Sequence, residues 1–176
     1  MRSRRAGLLA AGVAACLLAG ATAAEEWRPF SATWALSGTR TSVPTEGARR
    51  AAVVHAAGSL VITKGEALGR GFLGELIGFD DGADLLVGRV VFTDERGEKV
   101  FATLKAQPLA NGRTATGTIT GGTGRWTGLE GDFTFSWRSV VESEDDEIHA
   151  LTVNVEGRAR RAPPKTAVPT PAEVSK

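Results

Sequence analysis

The sequence predicts an all-β protein, an eight-stranded antiparallel up-and-down β-barrel. Three observations predict it. Between residues 27 and 158 apolar residues recur with a period of two, and no 12-residue stretch carries a convincing helical period. Eight strand signals follow one another, joined mostly by short turns, which suits a meander that closes on itself and abolishes exposed edges. Glycines at 58, 74, 78, 88, 117 and 121 fall inside those strands, where a tightly coiled small barrel needs bends. An open sandwich is the alternative that closure displaces.

The elements follow in order. Residues 30–37 read as a first strand with Phe30, Ala32, Trp34 and Leu36 on one face, and 39–50 as a polar connection holding Pro44 and Gly47. A long second strand, 51–63, puts Val54, Leu60 and Ile62 on one face, with Gly58 placed for a bend or bulge. The third, 71–79, ends at the turn sequence Asp80-Asp81-Gly82. The fourth, 84–93, precedes the hairpin loop Asp94-Glu95-Arg96-Gly97, whose glycine suits a positive φ. The fifth, 99–106, stops before Pro108 and Asn111-Gly112. The sixth, 113–120, alternates Thr114, Thr116, Thr118 and Thr120 with small or apolar residues. The seventh is 131–142 and the eighth 147–157, joined by an acidic loop over 143–146.

What flanks the barrel has a different character. Arg2, Arg4 and Arg5 precede an apolar run over 6–20, and Ala21, Thr22 and Ala23 supply small residues for cleavage, so 1–24 reads as a secretory signal. That run is too short for a spanning helix, and no later segment is longer, so no membrane span is expected. The single cysteine, Cys16, lies within it; Val13-Ala14-Ala15-Cys16 is also similar to a lipoprotein box, although Leu17 and Leu18 carry the apolar run past it. Either route implies export to a bacterial periplasm or beyond. Cleavage after Ala23 leaves no thiol for disulfides, nucleophilic catalysis or cysteine metal sites. Residues 159–176 hold four prolines and four basic residues and read as a disordered tail. Residues 25–158 then carry 14 basic against 19 acidic residues, a charge of −5, which argues against nucleic acid as a partner.

The stretch from Gly117 to Gly131 packs six glycines into fifteen residues. Gly121 and Gly122 end the sixth strand, Gly124 and Gly128 take backbone angles closed to other residues, and Trp126 and Leu129 tuck over the barrel end. Gly131 starts the next strand. No Lys-Ser or Lys-Thr pair opens a helix after it, which removes a phosphate cradle. The pattern Gly-Gly-Thr-Gly-Arg-Trp-x-Gly-x-x-Gly resembles the corresponding hairpin of the allene oxide cyclase and dirigent barrel superfamily, and of small secreted bacterial proteins of unknown function that share that barrel. The close resemblance covers about 20 residues and extends loosely over 27–158 through the strand count. It implies the closed barrel and a habit of trimers. It does not carry the plant activities here, because the chain has no tyrosine and no family catalytic residue can be placed on it.

Ionisable groups among apolar neighbours are the candidate catalytic set. Glu75 alternates with Leu73, Ile77 and Phe79; Arg89 with Leu85, Val87 and Val91; His149 with Leu151, Val153 and Val155. Converging in the lumen they would supply an acid, an anion anchor and a base. The plainer reading is a structural Glu75–Arg89 pair on adjacent strands and a hydrogen-bonded His149. Trp34 and Trp137 complete the expected ligand-binding set. The acidic runs around Asp80 and over 142–147 lack the spacing of a calcium loop, and His55 and His149 have no short-spaced partner, so neither metal nor cofactor is expected. The fourth strand is apolar on both faces, which suggests a covering loop or another subunit, as a dimer or trimer. The leading expectation is an exported barrel that binds a small apolar or amphipathic molecule without turnover. The alternatives are an isomerase or cyclase confining its substrate, and a solid-barrel envelope protein.

Overall fold

The computed structural model describes residues 26–65, 68–83, 85–109, 112–142 and 147–162. The signal, Cys16, the acidic loop residues 143–146 and the tail beyond 162 lie outside the described residues. Eight strands form one closed antiparallel barrel in chain order: β1 (Arg28–Pro44), β2 (Arg50–Lys64), β3 (Gly71–Asp80), β4 (Leu86–Thr93), β5 (Lys99–Leu109), β6 (Gly112–Gly122), β7 (Leu129–Glu142) and β8 (Glu147–Arg161). A single 3-10 turn, Gly124–Trp126, is the only helical element among the described residues. β1 closes the cylinder against β8 from Arg28↔Ala159 to Thr39↔Glu147. Every strand has two neighbours, so no edge is left to template another chain.

Three boundaries differ most from the sequence expectation. The first is β5, which runs through Pro108, paired with Arg113, to Leu109 instead of stopping before the proline. The connection expected over 39–50 is strand as far as Pro44, because Thr39–Pro44 zips residue by residue onto Arg50–His55 of β2. A polar composition is compatible with a strand whose side chains meet water. β8 likewise runs three residues into the expected tail, and Ala159, 1% exposed, is wedged between β1 and β7. Gly58 passes without a slip in register to β3; a Cβ there would collide with the carbonyl of Ala35, so it marks a close backbone approach.

The core is the lumen. Phe30, Ala32, Trp34 and Leu36 face inward as predicted, and the buried residues of the other strands complete the filling. The glycines make room for it. A Cβ on Gly74 would lie 2.9 Å from the Trp34 indole and 3.0 Å from the Phe92 ring, and one on Gly117 would overlap the ring of Phe133. A barrel of eight strands has little interior width, so each large ring is matched by an absent side chain opposite.

Candidate functional site

The two ends of the lumen are built differently. At one end the β4–β5 hairpin and the glycine-rich turn interlock. The buried Asp94 carboxylate accepts hydrogen bonds from Trp126 Nε1 at 2.8 Å, Arg125 Nε at 2.9 Å, and the backbone N–H groups of Arg96 and Glu98 at 2.8 and 3.0 Å. Burial raises the pKa of this carboxyl, but the bonds from Trp126, the two backbone amides and Arg125 outweigh it and hold Asp94 down at about 2. Arg125 lies over the Trp126 ring at 4.8 Å and pairs with Glu95 at 2.9 Å. Gly124 and Gly128 take φ of +52° and +74°, as their position in the turn requires, and Trp126 and Leu129 are each 5% exposed. This end is sealed.

From the seal, rings run inward in a column: Trp126, Phe72, Phe92, Trp34, Phe135, Trp137, with successive centroids 5.2 to 6.2 Å apart. The one cavity in this half has about 20 Å³ and a lining of carbon, including Phe30, Leu60, Phe72 and Phe133. It can hold nothing larger than a water molecule.

The column ends at Trp137, and there the filling stops. A pocket of about 310 Å³ occupies the opposite end, walled by residues such as Leu36, Val54, Leu76, Leu104, Trp137 and Ile148. Its size falls at the small end of the ~300–1,000 Å³ common for small-molecule sites. Among the described residues, Arg40 and Asp80 are its only ionisable lining residues. Arg40 Nη2 stands 3.9 Å from Asp80 Oδ2, with the arginine 42% exposed and the aspartate 6%. The other Asp80 oxygen accepts the Gly82 N–H at 3.0 Å and shapes the β3–β4 turn, where Gly82 takes φ +77°. Beside it the amides of Ala83 and Leu85 hold the Asp81 carboxyl below its usual range. The wall is therefore apolar and the mouth carries one loose ion pair.

Of the expected ligand-binding residues, Trp137 lines this pocket, while Trp34 is fully buried in the packed core and is not part of the pocket wall. The Trp34 indole N–H has no acceptor among the described residues. Glu75, Arg89 and His149 do not converge. All three stand on the outer surface, His149 46% exposed and 3.4 Å from Glu147. The plainer reading holds in part: His149 shares a hydrogen bond with Glu147, but no ion pair joins Glu75 to Arg89 among the described residues. The reason is that the inner face of β3 and β4 is the one bearing glycine, with Phe72, Gly74, Leu76 and Gly78 on β3 and Leu86, Gly88, Val90 and Phe92 on β4. The continuous run of large apolar residues on the other face pointed outward instead. On β8 the register shifts between the partners of Ala32 and Trp34, so Val155 faces inward while His149 faces out. Extending the Trp34 face along β1 would have found Arg40, and the parity of Phe72 would have found Asp80.

No protein-family model matches this chain, and no curated protein matches it. Among the described residues no group of three or more histidine, cysteine, aspartate or glutamate side chains is placed to share a metal ion. No helix there is long and apolar enough to cross a membrane.

Proposed function

We propose that this protein is an exported barrel that holds a small apolar or amphipathic molecule in the open half of its lumen, without turnover. One observation carries the reading: the half of the lumen beside the Trp126 seal is filled by rings, while the opposite half holds a largely apolar pocket of 310 Å³. A wholly structural barrel has no use for that asymmetry. The lining supports binding rather than chemistry, because among the described residues it offers an Arg–Asp pair and no nucleophile beside a base. The pair at the mouth suits a ligand with an apolar body and a polar end that stays near water. Kinship with the allene oxide cyclase and dirigent barrels belongs to the same proposal, supported by the closed eight-strand meander and the glycine turn.

The test uses 1-N-phenylnaphthylamine, whose fluorescence rises in apolar surroundings. The unsubstituted protein should bind it with one site per barrel. Ala150→Phe and Ala56→Phe, which grow side chains into the pocket, should each weaken binding at least tenfold while the circular dichroism spectrum is unchanged. Equal binding by all three proteins, or none by the unsubstituted one, would overturn the proposal.

A further inference from the structure

The outer wall of the barrel is two-faced. β6 turns Thr114, Thr116, Thr118 and Thr120 to the outside, and β7 turns Asp132, Thr134 and Ser136. The opposite wall does the reverse. Of nine large apolar side chains exposed among the described residues, eight lie between Val43 and Phe101, with Ile77 56% exposed, Leu73 51%, Val53 48% and Phe79 44%. A continuous apolar face of this kind marks a surface that another body covers.

Two opposite charges, Glu75 and Arg89, stand at the centre of that face and name the body, with His55 opposite Ile77 and Lys105 opposite Val87 lying to either side of them. In the β3–β4 register Glu75 lies opposite Val91, and Ile77 lies opposite Arg89. The four side chains are the corners of one quadrilateral, with opposite charges on one diagonal and apolar residues on the other. Neither charge has an ion-pair partner among the described residues. Covering the face with an apolar surface would strand both charges, at a cost that burial of an unpaired ion always carries. A second copy of this chain strands neither. A two-fold axis laid along the line from Ile77 to Val91 sets each Glu75 against the partner's Arg89, twice over, and brings Ile77 and Val91 onto their own counterparts.

We infer that the protein forms a two-fold dimer through the outer faces of β2 to β5, held in register by two reciprocal Glu75–Arg89 pairs. The interface is isologous, so it closes at two copies. It is independent of the lumen and leaves the pocket mouth open.

Sedimentation velocity on the purified chain tests this. The unsubstituted protein should sediment as two copies. Glu75→Arg alone and Arg89→Glu alone should each weaken association at least tenfold, because each sets like charges against one another. The double variant should regain the two-copy mass. Mixing the two single variants should also regain it. In the mixed dimer one chain carries arginine at both positions and the other carries glutamate at both, so each contact again joins opposite charges. A pair formed within one chain cannot be rescued by mixing. Thermal melts of the single variants confirm that these exposed substitutions leave the barrel folded. A one-copy mass for the unsubstituted protein would overturn the inference. So would a three-copy mass, a dimer indifferent to Glu75→Arg, no rescue on mixing, or a one-copy species that sediments with phosphatidylcholine vesicles.

Discussion

The sealed end and the open end of this barrel are made from the same eight strands, yet they solve opposite problems. At the sealed end a tryptophan plugs the lumen, and a buried carboxylate takes up the polar groups that the plug brings with it. At the open end the strands continue past the last ring, and their inner faces are left lined with aliphatic side chains. The difference teaches where this barrel is tightly packed and where it is left open. Packing and hydrogen bonds are concentrated beside the Trp126 seal, so the opposite half can vary its contents without unfolding the molecule.

The comparison predicts unequal responses to substitution. The largest belongs to the seal. Asp94→Ala leaves the Trp126 N–H and the Arg125 guanidinium without their shared acceptor, and should lower stability by about 3–5 kcal/mol in urea titrations. Gly117→Ala forces a methyl group against the Phe133 ring and should cost about 1–3 kcal/mol. Acid sharpens the point. The Asp94 carboxyl is held at about 2 in the folded protein, below its ordinary 3.8, so its contribution is fully present above pH 4 and is lost as the pH falls towards 2. That loss should amount to about 2 kcal/mol, and the Asp94→Ala protein should lack it. The smallest response belongs to the open end, where Arg40→Ala breaks only a long, half-exposed pair and should change stability by about 0–1 kcal/mol. If Arg40→Ala proved as costly as Asp94→Ala, the division of labour drawn here would be wrong.

Much of this was legible beforehand. The eight strands, the inward face of β1 and the placement of Trp126 over the barrel end all follow from period-two patterning and turn glycines. The functional end was read less well, for two physical reasons. On β3 and β4 apolar residues occupy both faces, so alternation alone cannot say which is the lumen; the deciding signal was Gly74, whose missing side chain leaves room for the Trp34 and Phe92 rings. On β8 a local shift in pairing reverses the facing of residues on either side, and no residue type there announces it. The seal also joins Asp94 to Trp126, 32 residues apart, a contact that no local pattern encodes.

The strand pairing also sets the first and last strands of the barrel side by side at one pole. Arg28 and Ala159 are neighbours beside the plugged pole, with Trp27 sandwiched by the guanidinium groups of Arg158 and Arg160 at 4.8 and 4.3 Å. That pairing and the mouth thus sit at opposite poles. A fluorophore carried on a cysteine introduced at the exposed Glu26 would therefore sit at the pole away from the entrance, free to report on the barrel without crowding its doorway.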